Sequence, residues 1–227
     1  VRSLSFISSS LVVSRTYVAG PLRCLPIARR ILPDPLNRYR IVIMRPPAPK
    51  IPAELLAQGH RAFAGAPKSS GSEPTFVSPV RGLRLLRHPV RTSFEATIYE
   101  PVICLILQGR KKTTFGERTF DVGSGECLLV SHDLPVVSRI TEAPYLALLL
   151  NLDLEILRGL YEDLGVTTLD EKEPKALEVH AVPPLLLDAL GRYLALMDSS
   201  TDAKVLGPMI VKEIHYRLVT APFGGML

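Results

Sequence analysis

Residues 99–136, YEPVICLILQGRKKTTFGERTFDVGSGECLLVSHDLPV, contain the strongest structural pattern in this 227-residue chain. Short segments rich in β-branched and aromatic residues alternate with turn-favouring Gly, Pro and Asp, and this pattern predicts antiparallel strands. Gly116 and Glu117 suit a two-residue hairpin turn. The run 102–107 is apolar at every position, which predicts a strand buried on both faces. One face would fill a barrel or sandwich, and the other would meet a covering element.

The strand pattern continues on both sides of this stretch, over residues 75–152. Gly, Pro and Asp interrupt it at intervals of roughly 8 to 12 residues, a spacing typical of antiparallel sandwiches and barrels. We therefore predict such a fold over 75–152. Before it, residues 51–65 predict a short helix, and residues 67–74 have the composition of a linker.

After residue 152 the hydrophobic period changes from two to 3.6, which indicates helices. We expect one at 153–165, capped by Asp153 and ended by Gly165, and a second at 183–200. A third is expected at 202–225. The last two helices should form an antiparallel pair that covers the strands, which gives an α+β fold.

The third predicted helix carries a regular apolar stripe. Asp202 is its expected N-cap, and Pro208 is expected to kink it. The apolar surface of the helical pair exceeds what mutual packing needs, so part should face the strands and part a second subunit. We predict a homodimer through these helices, with these candidate contact residues: Leu206, Ile210, Ile214 and Leu218.

The charge of the chain is unevenly distributed. Of its 27 Lys and Arg and 22 Asp and Glu, nine basic residues and one acid lie in residues 1–53, which leaves 18 basic and 21 acidic residues and a net charge of −3 for the remainder. A basic arm could bind nucleic acid or an anionic membrane. Residues 1–50 are rich in Arg and Pro without a clear hydrophobic period, and we interpret them as a disordered leader, with Met44 as an alternative start.

The cysteines and the apolar runs indicate a compartment. Cys24, Cys104 and Cys127 cannot all pair, and the last two lie in apolar runs, so we expect reduced, buried thiols in a cytoplasmic protein. No run approaches the ~18 apolar residues of a membrane span. We therefore expect no membrane partner.

The sequence lacks the short motifs of metal and catalytic sites. It contains no His-x-His, Cys-x-x-Cys, His-x-x-x-His or Gly-x-Ser-x-Gly pattern. Asp121 and Glu126 flank a glycine turn and could share acid–base chemistry, but turn formation explains both residues. We predict no catalytic residue, no metal and no cofactor.

A barrel with an apolar lining and a few inward polar groups can bind a small molecule. The candidate ligand-binding residues on the predicted strands and loops are Tyr99, Gln108, His132 and Arg139. The alternative is a lumen filled by side chains, with these four residues at the rim. Both interpretations stay open from the residues alone.

The opening stretch also carries a family resemblance, in residues Tyr99, Glu100, Pro101, Leu107, Gln108, Gly109 and Lys111. With the later segment KEIHYRLVTAPFG, residues 212–224, it resembles the N-terminal regulatory domain of AraC-type transcriptional regulators. Ala221 stands where the family pattern has Gly. The resemblance covers about residues 50–225.

The resemblance implies a metal-free, cupin-like (jelly-roll) β-barrel that senses a small-molecule effector, followed by helices that dimerise. The chain would then comprise a leader over 1–50, a helix and linker over 51–74, the barrel over 75–152 and a helical dimerisation region over 153–227. The family continues with two DNA-binding helix-turn-helix units. Because the sequence ends at Leu227, we expect that domain to be absent here, and DNA to be reached only through it.

Three functions follow as hypotheses. The first is the ligand-sensing and dimerisation domain of an AraC-type regulator. The second is a stand-alone small-molecule-binding cupin module, and the third, the least favoured, is a cupin-type enzyme. The identity of the effector is not indicated by the sequence.

Overall fold

The computed structural model describes residues 29–32, 40–43, 47–66, 73–165 and 175–227. The chain divides into two units, Val1–Met44 and Arg45–Leu227. In the first unit, strand β1 (Arg29–Leu32) pairs antiparallel with β2 (Arg40–Ile43). Most of the remaining leader and most of the predicted linker lie outside the described residues, so the predictions for them stay predictions.

The described part of the second unit follows the expected order of a short helix, a run of strands and then helices. Its strands are β3 (Thr75–Val80), β4 (Leu83–His88), β5 (Glu95–Tyr99), β6 (Val102–Phe115), β7 (Arg118–Gly123), β8 (Glu126–Val130), β9 (Leu134–Asn151) and β10 (Leu177–Ala181). Its α-helices are α1 (Ala53–Arg61), α2 (Leu154–Leu164), α3 (Pro184–Ala195), α4 (Ser200–Val205) and α5 (Gly207–Val219). The sequence patterns did not predict β10, which lies between two helices and pairs with β8.

The ends of α2 confirm the predicted caps. Asp153 Oδ1 accepts hydrogen bonds from the backbone N–H groups of Glu155 at 3.0 Å and Ile156 at 3.2 Å. Gly165 ends the helix in the left-handed region at φ 63°, where a residue with a Cβ would be strained.

The helix predicted over 202–225 is divided into α4 and α5. Pro208 lies in the first turn of α5, where its missing N–H costs no hydrogen bond, so it begins a new helix rather than kinking a continuous one. The predicted N-cap is also wrong by three residues. Ser199 caps α4, because its Oγ accepts from the N–H of Asp202 at 3.2 Å.

The strands of the second unit form an antiparallel sheet in the order β10-β8-β6-β9-β4-β3, with β5 paired to β9 and β7 paired to β6. The long strands β6 and β9 take part in both halves of this sheet. The first half of β6 pairs with β8 and the end of β9, and its second half pairs with β7 and the start of β9. Among the described residues no ladder joins β3 to β10, so closure into a barrel stays a prediction.

Strand β6 is buried on both faces, as the apolar run predicted. Val102, Cys104 and Ile106 belong to one apolar cluster, whereas alternate residues 103, 105 and 107 belong to another. The second cluster also contains side chains from the helices, among them Leu190 and Ile214. The covering element predicted for this face of β6 is therefore the helical layer. Each Leu or Ile that is fully buried there stabilises the fold by roughly 1.5–3 kcal/mol relative to an exposed one.

The predicted dimer stripe lies mostly inside the protomer. Ile210, Ile214 and Leu218 are buried in the cluster between sheet and helices, and only Leu206 is exposed, at 42%. An i+4 stripe marks one face of a helix, but the pattern alone does not say which neighbour covers that face. The dimer stays a prediction, and its contact residues are revised below.

No helix in the described residues is long and apolar enough to cross a membrane.

Candidate ligand site

A cavity of about 450 Å³ lies against β5. Its walls come from β3, β4, β5, β6 and β9. This volume lies within the range of roughly 300–1,000 Å³ that small-molecule sites occupy in proteins. This space is large enough for a small molecule, and the two alternatives left open by the sequence stay predictions.

Lys111 is the most unusual residue in the cavity wall. It is only 7% exposed, and its Nζ donates to Tyr99 Oη at 3.3 Å and to Cys104 Sγ at 3.5 Å. The same Nζ lies 5.1 Å from the centre of the Tyr99 ring. In the described part of the chain no carboxylate lies within ion-pair distance of it, although buried lysines normally have such a partner.

The pKa of Lys111 is shifted upward in this environment. Burial by itself lowers the pKa of Lys111, but Cys104, Tyr145 and Tyr99 together outweigh that effect and hold the pKa well above its usual value. The cavity therefore contains a buried ammonium group whose neighbours are a thiol and two phenols.

Tyr145 supplies a second unsatisfied polar group. It is almost fully buried in the cavity wall, and its hydroxyl has no hydrogen-bond partner among the described residues. Burial raises the pKa of Tyr145 well above its usual value because the phenolate would lose its hydration, so the hydroxyl stays protonated and can donate.

A register shift in β6 points Lys111 into the cavity. Before it, Val102 and Cys104 line the cavity, and after it Lys111 lines the cavity and Thr113 is buried. The ladder between β6 and β9 is irregular from Ile106 to Lys111, and an irregularity of one residue exchanges the two faces of a strand.

Gly109 makes this register shift possible. Its φ is 80°, and a Cβ built there would lie 2.5 Å from Glu142 O and 2.8 Å from Pro144 O. Both the backbone angle and the close approach of β9 therefore require a residue without a side chain.

Two of the four predicted ligand residues line the cavity. Tyr99 and Arg139 are among its lining residues. The Arg139 guanidinium lies 4.5 Å from the centre of the Phe94 ring, and its Nε has no hydrogen-bond partner in the described chain. Gln108 and His132 are not in the lining. Gln108 lies at the register shift, and His132 lies exposed in the loop after β8, where its Nδ1 is 3.0 Å from Ser131 Oγ.

The sequence reasoning missed Lys111 and Tyr145. Continued alternation from the apolar run would place Lys112 rather than Lys111 on the cavity side, so only the glycine at 109 signals the exchange of faces. Cys104 was predicted to be a core residue and is buried, but it also lines the cavity. Burial raises the pKa of Cys127 to about 12, which is consistent with an unreactive core thiol.

Asp121 and Glu126, the turn residues considered for acid–base chemistry, both accept hydrogen bonds within the fold. Glu126 Oε2 accepts from the Gly123 N–H at 2.8 Å, and Asp121 Oδ1 accepts from Arg110 at 3.1 Å. Within the described residues no three His, Cys, Asp or Glu side chains come together as metal ligands. The prediction of a metal-free protein stays a prediction, to be tested by metal analysis.

Solved structures of regulators and cupins are similar to this chain. Ligand-free ToxT from Vibrio cholerae aligns with a TM-score of 0.44 and 10% identity over 61% of this chain and 56% of its own. The AraC-like transcriptional activator CuxR aligns with a TM-score of 0.42 and 18% identity over 75% of this chain and 66% of its own. A cupin superfamily protein from Desulfitobacterium hafniense aligns with a TM-score of 0.31 and 14% identity, over 48% of this chain and 100% of its own.

The chain thus spans between about half and two thirds of the length of these two regulators. The comparison with curated proteins found no match. The family described as "AraC-type transcriptional regulator N-terminus" matches residues 79–226, which confirms the resemblance seen in the sequence. Because this match covers well over half of the 227 residues, the chain belongs to the family of AraC-type transcriptional regulator N-terminal domains.

Proposed function

We propose that this chain is the ligand-sensing and dimerisation part of an AraC-type transcriptional regulator, that it acts without catalysis, and that it works in the cytoplasm. The observation that carries the proposal is the cavity of about 450 Å³, whose wall combines apolar with polar and charged side chains and includes buried polar atoms that lack partners among the described residues. Such a combination suits reversible binding of a small molecule.

Strand β6 offers a route from the cavity to the helices. Cys104 lines the cavity, whereas the adjacent residues Ile103 and Leu105 pack in the cluster that contains α3 and α5 side chains. A ligand that moves β6 would act on that cluster. A ligand can shift the equilibrium between two states of the regulator only by the difference between its affinities for the two states.

The test of sensing is a thermal-shift screen of small metabolites against the purified chain. A compound that binds the folded state raises the melting temperature in a concentration-dependent way. We expect at least one such compound, and its effect should be abolished by filling the cavity through Ala96→Trp, because Ala96 is an exposed lining residue. Hits that respond equally in this variant would contradict binding in the cavity.

Dimerisation is proposed through the outer face of the last helices. Val205, Met209 and Tyr216 are exposed there beside Leu206, and Met209 is 67% exposed. Met209 and Tyr216 are seven residues apart in α5 and lie on the same side of that helix, and with Val205 at the end of α4 they offer an apolar surface to a second copy.

Sedimentation velocity tests this surface. We expect a dimer for the wild-type chain and a folded monomer for Val205→Glu combined with Met209→Glu. The matched control is Leu164→Glu, which places a carboxylate at an exposed apolar residue of α2. A wild-type monomer at micromolar concentration, or a dimer that survives the double substitution, would rule this surface out.

We further propose that residues 51–227 do not bind duplex DNA by themselves. These residues carry 18 basic and 21 acidic groups, and a net negative surface repels phosphates. Gel-shift titration at about 0.15 M salt should show no complex. A stand-alone binding module would have the same cavity. A reporter gene under a regulated promoter distinguishes it from the sensing part of a regulator, because only the regulator changes expression of the reporter.

A further inference from the structure

The cavity lining contains three basic and two acidic residues, and one of the basic residues, Lys111, is buried. We infer that the ligand of this cavity is an organic anion with a single carboxylate head, bound by Lys111 and Tyr145, and an apolar body. This inference rests on the proposed sensing function and specifies its ligand class.

The first argument is the state of Lys111. An ammonium group has three N–H donors, and here two of them meet the weak acceptors Tyr99 Oη and Cys104 Sγ at 3.3 Å and 3.5 Å. A buried charge without a counter-charge is unfavourable unless something completes its shell. A carboxylate oxygen would take the remaining donor in a charge-assisted hydrogen bond.

The second argument is Tyr145. Its hydroxyl is buried in the same wall and has no partner among the described residues. Lys111 Nζ lies 3.5 Å from Cys104 Sγ, and Lys111, Cys104 and Tyr145 all line this cavity. A carboxylate has two oxygens, so one can accept from Lys111 and the other from Tyr145.

The third argument is the charge count of the lining. It contains three basic residues, Arg84, Lys111 and Arg139, and two acids, Glu95 and Glu100, which are exposed. The wall therefore carries one excess positive charge. A monoanion neutralises it, whereas a dianionic phosphate would leave a negative excess beside two carboxylates. A neutral sugar would leave Lys111 without a counter-ion.

The fourth argument concerns the body of the ligand. Phe76 and Ile98 line the cavity and are exposed, Ile98 at 68%, and Leu86 and Leu149 lie beside them. An apolar group placed against these side chains would remove their surface from water. At ~30 Å³ for each small group, the cavity holds about 15 non-hydrogen atoms.

Matched pairs of compounds test this class on the full chain. The test ligands are decanoate and 2-naphthoate, each compared with its methyl ester and its primary alcohol by isothermal titration calorimetry. We expect each carboxylate to bind at least about tenfold more tightly than either neutral counterpart, because only the carboxylate pairs with Lys111.

Two variants assign the head group. Lys111→Met should weaken carboxylate binding at least about tenfold and leave ester binding unchanged, and Tyr145→Phe should weaken it by roughly three- to tenfold. Lys112→Met is the matched control, because Lys112 is the next residue, lies partly exposed and has its Nζ 3.9 Å from Asp121. It should bind as the wild type does.

The outcomes separate this inference from the sensing function. If the esters or alcohols bind as tightly as the carboxylates, or if Lys111→Met binds carboxylates as the wild type does, the anion inference is overturned. A sensing function for neutral compounds would survive either result. Failure of both carboxylates to bind at about 1 mM also overturns it. If metabolites of every charge then fail in the thermal-shift screen, the sensing function fails too. Should Lys111→Met not fold, Tyr145→Phe and the ester comparison decide.

Discussion

The two faces of strand β6 differ in how completely their groups are satisfied. The face towards the helices is apolar at Ile103, Leu105 and Leu107, and its neighbours are apolar side chains. The opposite face combines Cys104 with Lys111 and lies beside a tyrosine hydroxyl without a partner. One strand therefore supports stability on one side and keeps polar groups available for a ligand on the other. Unsatisfied buried groups that persist in a fold mark places where function opposes stability.

The largest effect is expected on the helix face. Leu105→Ala removes a fully buried side chain between sheet and helices, so the free energy of unfolding should fall by about 2–5 kcal/mol. Val205→Ala, at an exposed position, should change it by less than about 0.5 kcal/mol. Urea denaturation measures both. A loss below about 1 kcal/mol for Leu105→Ala would mean that this face is not a packed core.

The next effect concerns the register shift that separates the two faces. Gly109→Ala imposes a left-handed backbone on a residue with a Cβ, at about 1–2 kcal/mol, and also brings that Cβ against two backbone oxygens of β9. Gly116→Ala is the matched control, because its φ is 55° with open space around it. We expect Gly109→Ala to lose at least about 1 kcal/mol more than Gly116→Ala in the same denaturation experiment. Equal losses would mean that β9 does not restrict this position.

A smaller, pH-dependent effect is expected on the helix side at His215. This residue is buried, its Nε2 accepts from the Asp153 N–H at 2.8 Å, and its Nδ1–H donates to Val211 O at 2.8 Å. Burial lowers the pKa of His215, although the Val211 carbonyl and Asp153 partly offset it. The unfolded chain therefore binds a proton near pH 6.5 that the folded chain does not.

Stability from His215 should accordingly be present above about pH 6.5 and decline as the pH falls, with a slope of up to about 1.4 kcal/mol per pH unit. Denaturation at several pH values between 5 and 8 should show this slope in the wild type and a reduced slope in His215→Gln. His60→Gln, at an exposed histidine, serves as the control and should keep the wild-type slope.

The smallest effect on stability is expected on the cavity face. Tyr145→Phe deletes a buried hydroxyl that has no partner, so the free energy of unfolding should change by less than about 0.5 kcal/mol or increase. Denaturation without ligand measures it. A loss of 1 kcal/mol or more would show that the hydroxyl is satisfied in the folded protein, and the contrast between the two faces would not hold at this residue.

Much of the fold was predictable because periodicity reports burial. The apolar run of β6, the Gly116–Glu117 turn, the caps of α2 and the helical cover all follow from local patterns and agree with the structure. Strand β10 was not predicted because five residues between two helices carry too short an alternation to be recognised.

The candidate site was predictable only in part. Tyr99 and Arg139 line the cavity, whereas Lys111 and Tyr145 were missed. The reason is the register shift at Gly109, because even-numbered residues of β6 line the cavity before it and the odd-numbered residue Lys111 lines the cavity after it. The dimer stripe shows the same limit, because Ile210, Ile214 and Leu218 share a face that is buried inside the protomer, where α5 packs against α2 and α3.

The sequence by itself determined the family, the alternation of strands and helices, and which segments are apolar on one or both faces, since these depend on neighbours along the chain. Only the tertiary structure decided that Lys111, Cys104 and Tyr145 meet around one cavity and that most of the last apolar stripe is internal. These properties depend on which strands pair with each other and on where the register shift exchanges the two faces of β6. Contacts between residues distant in the chain produce both.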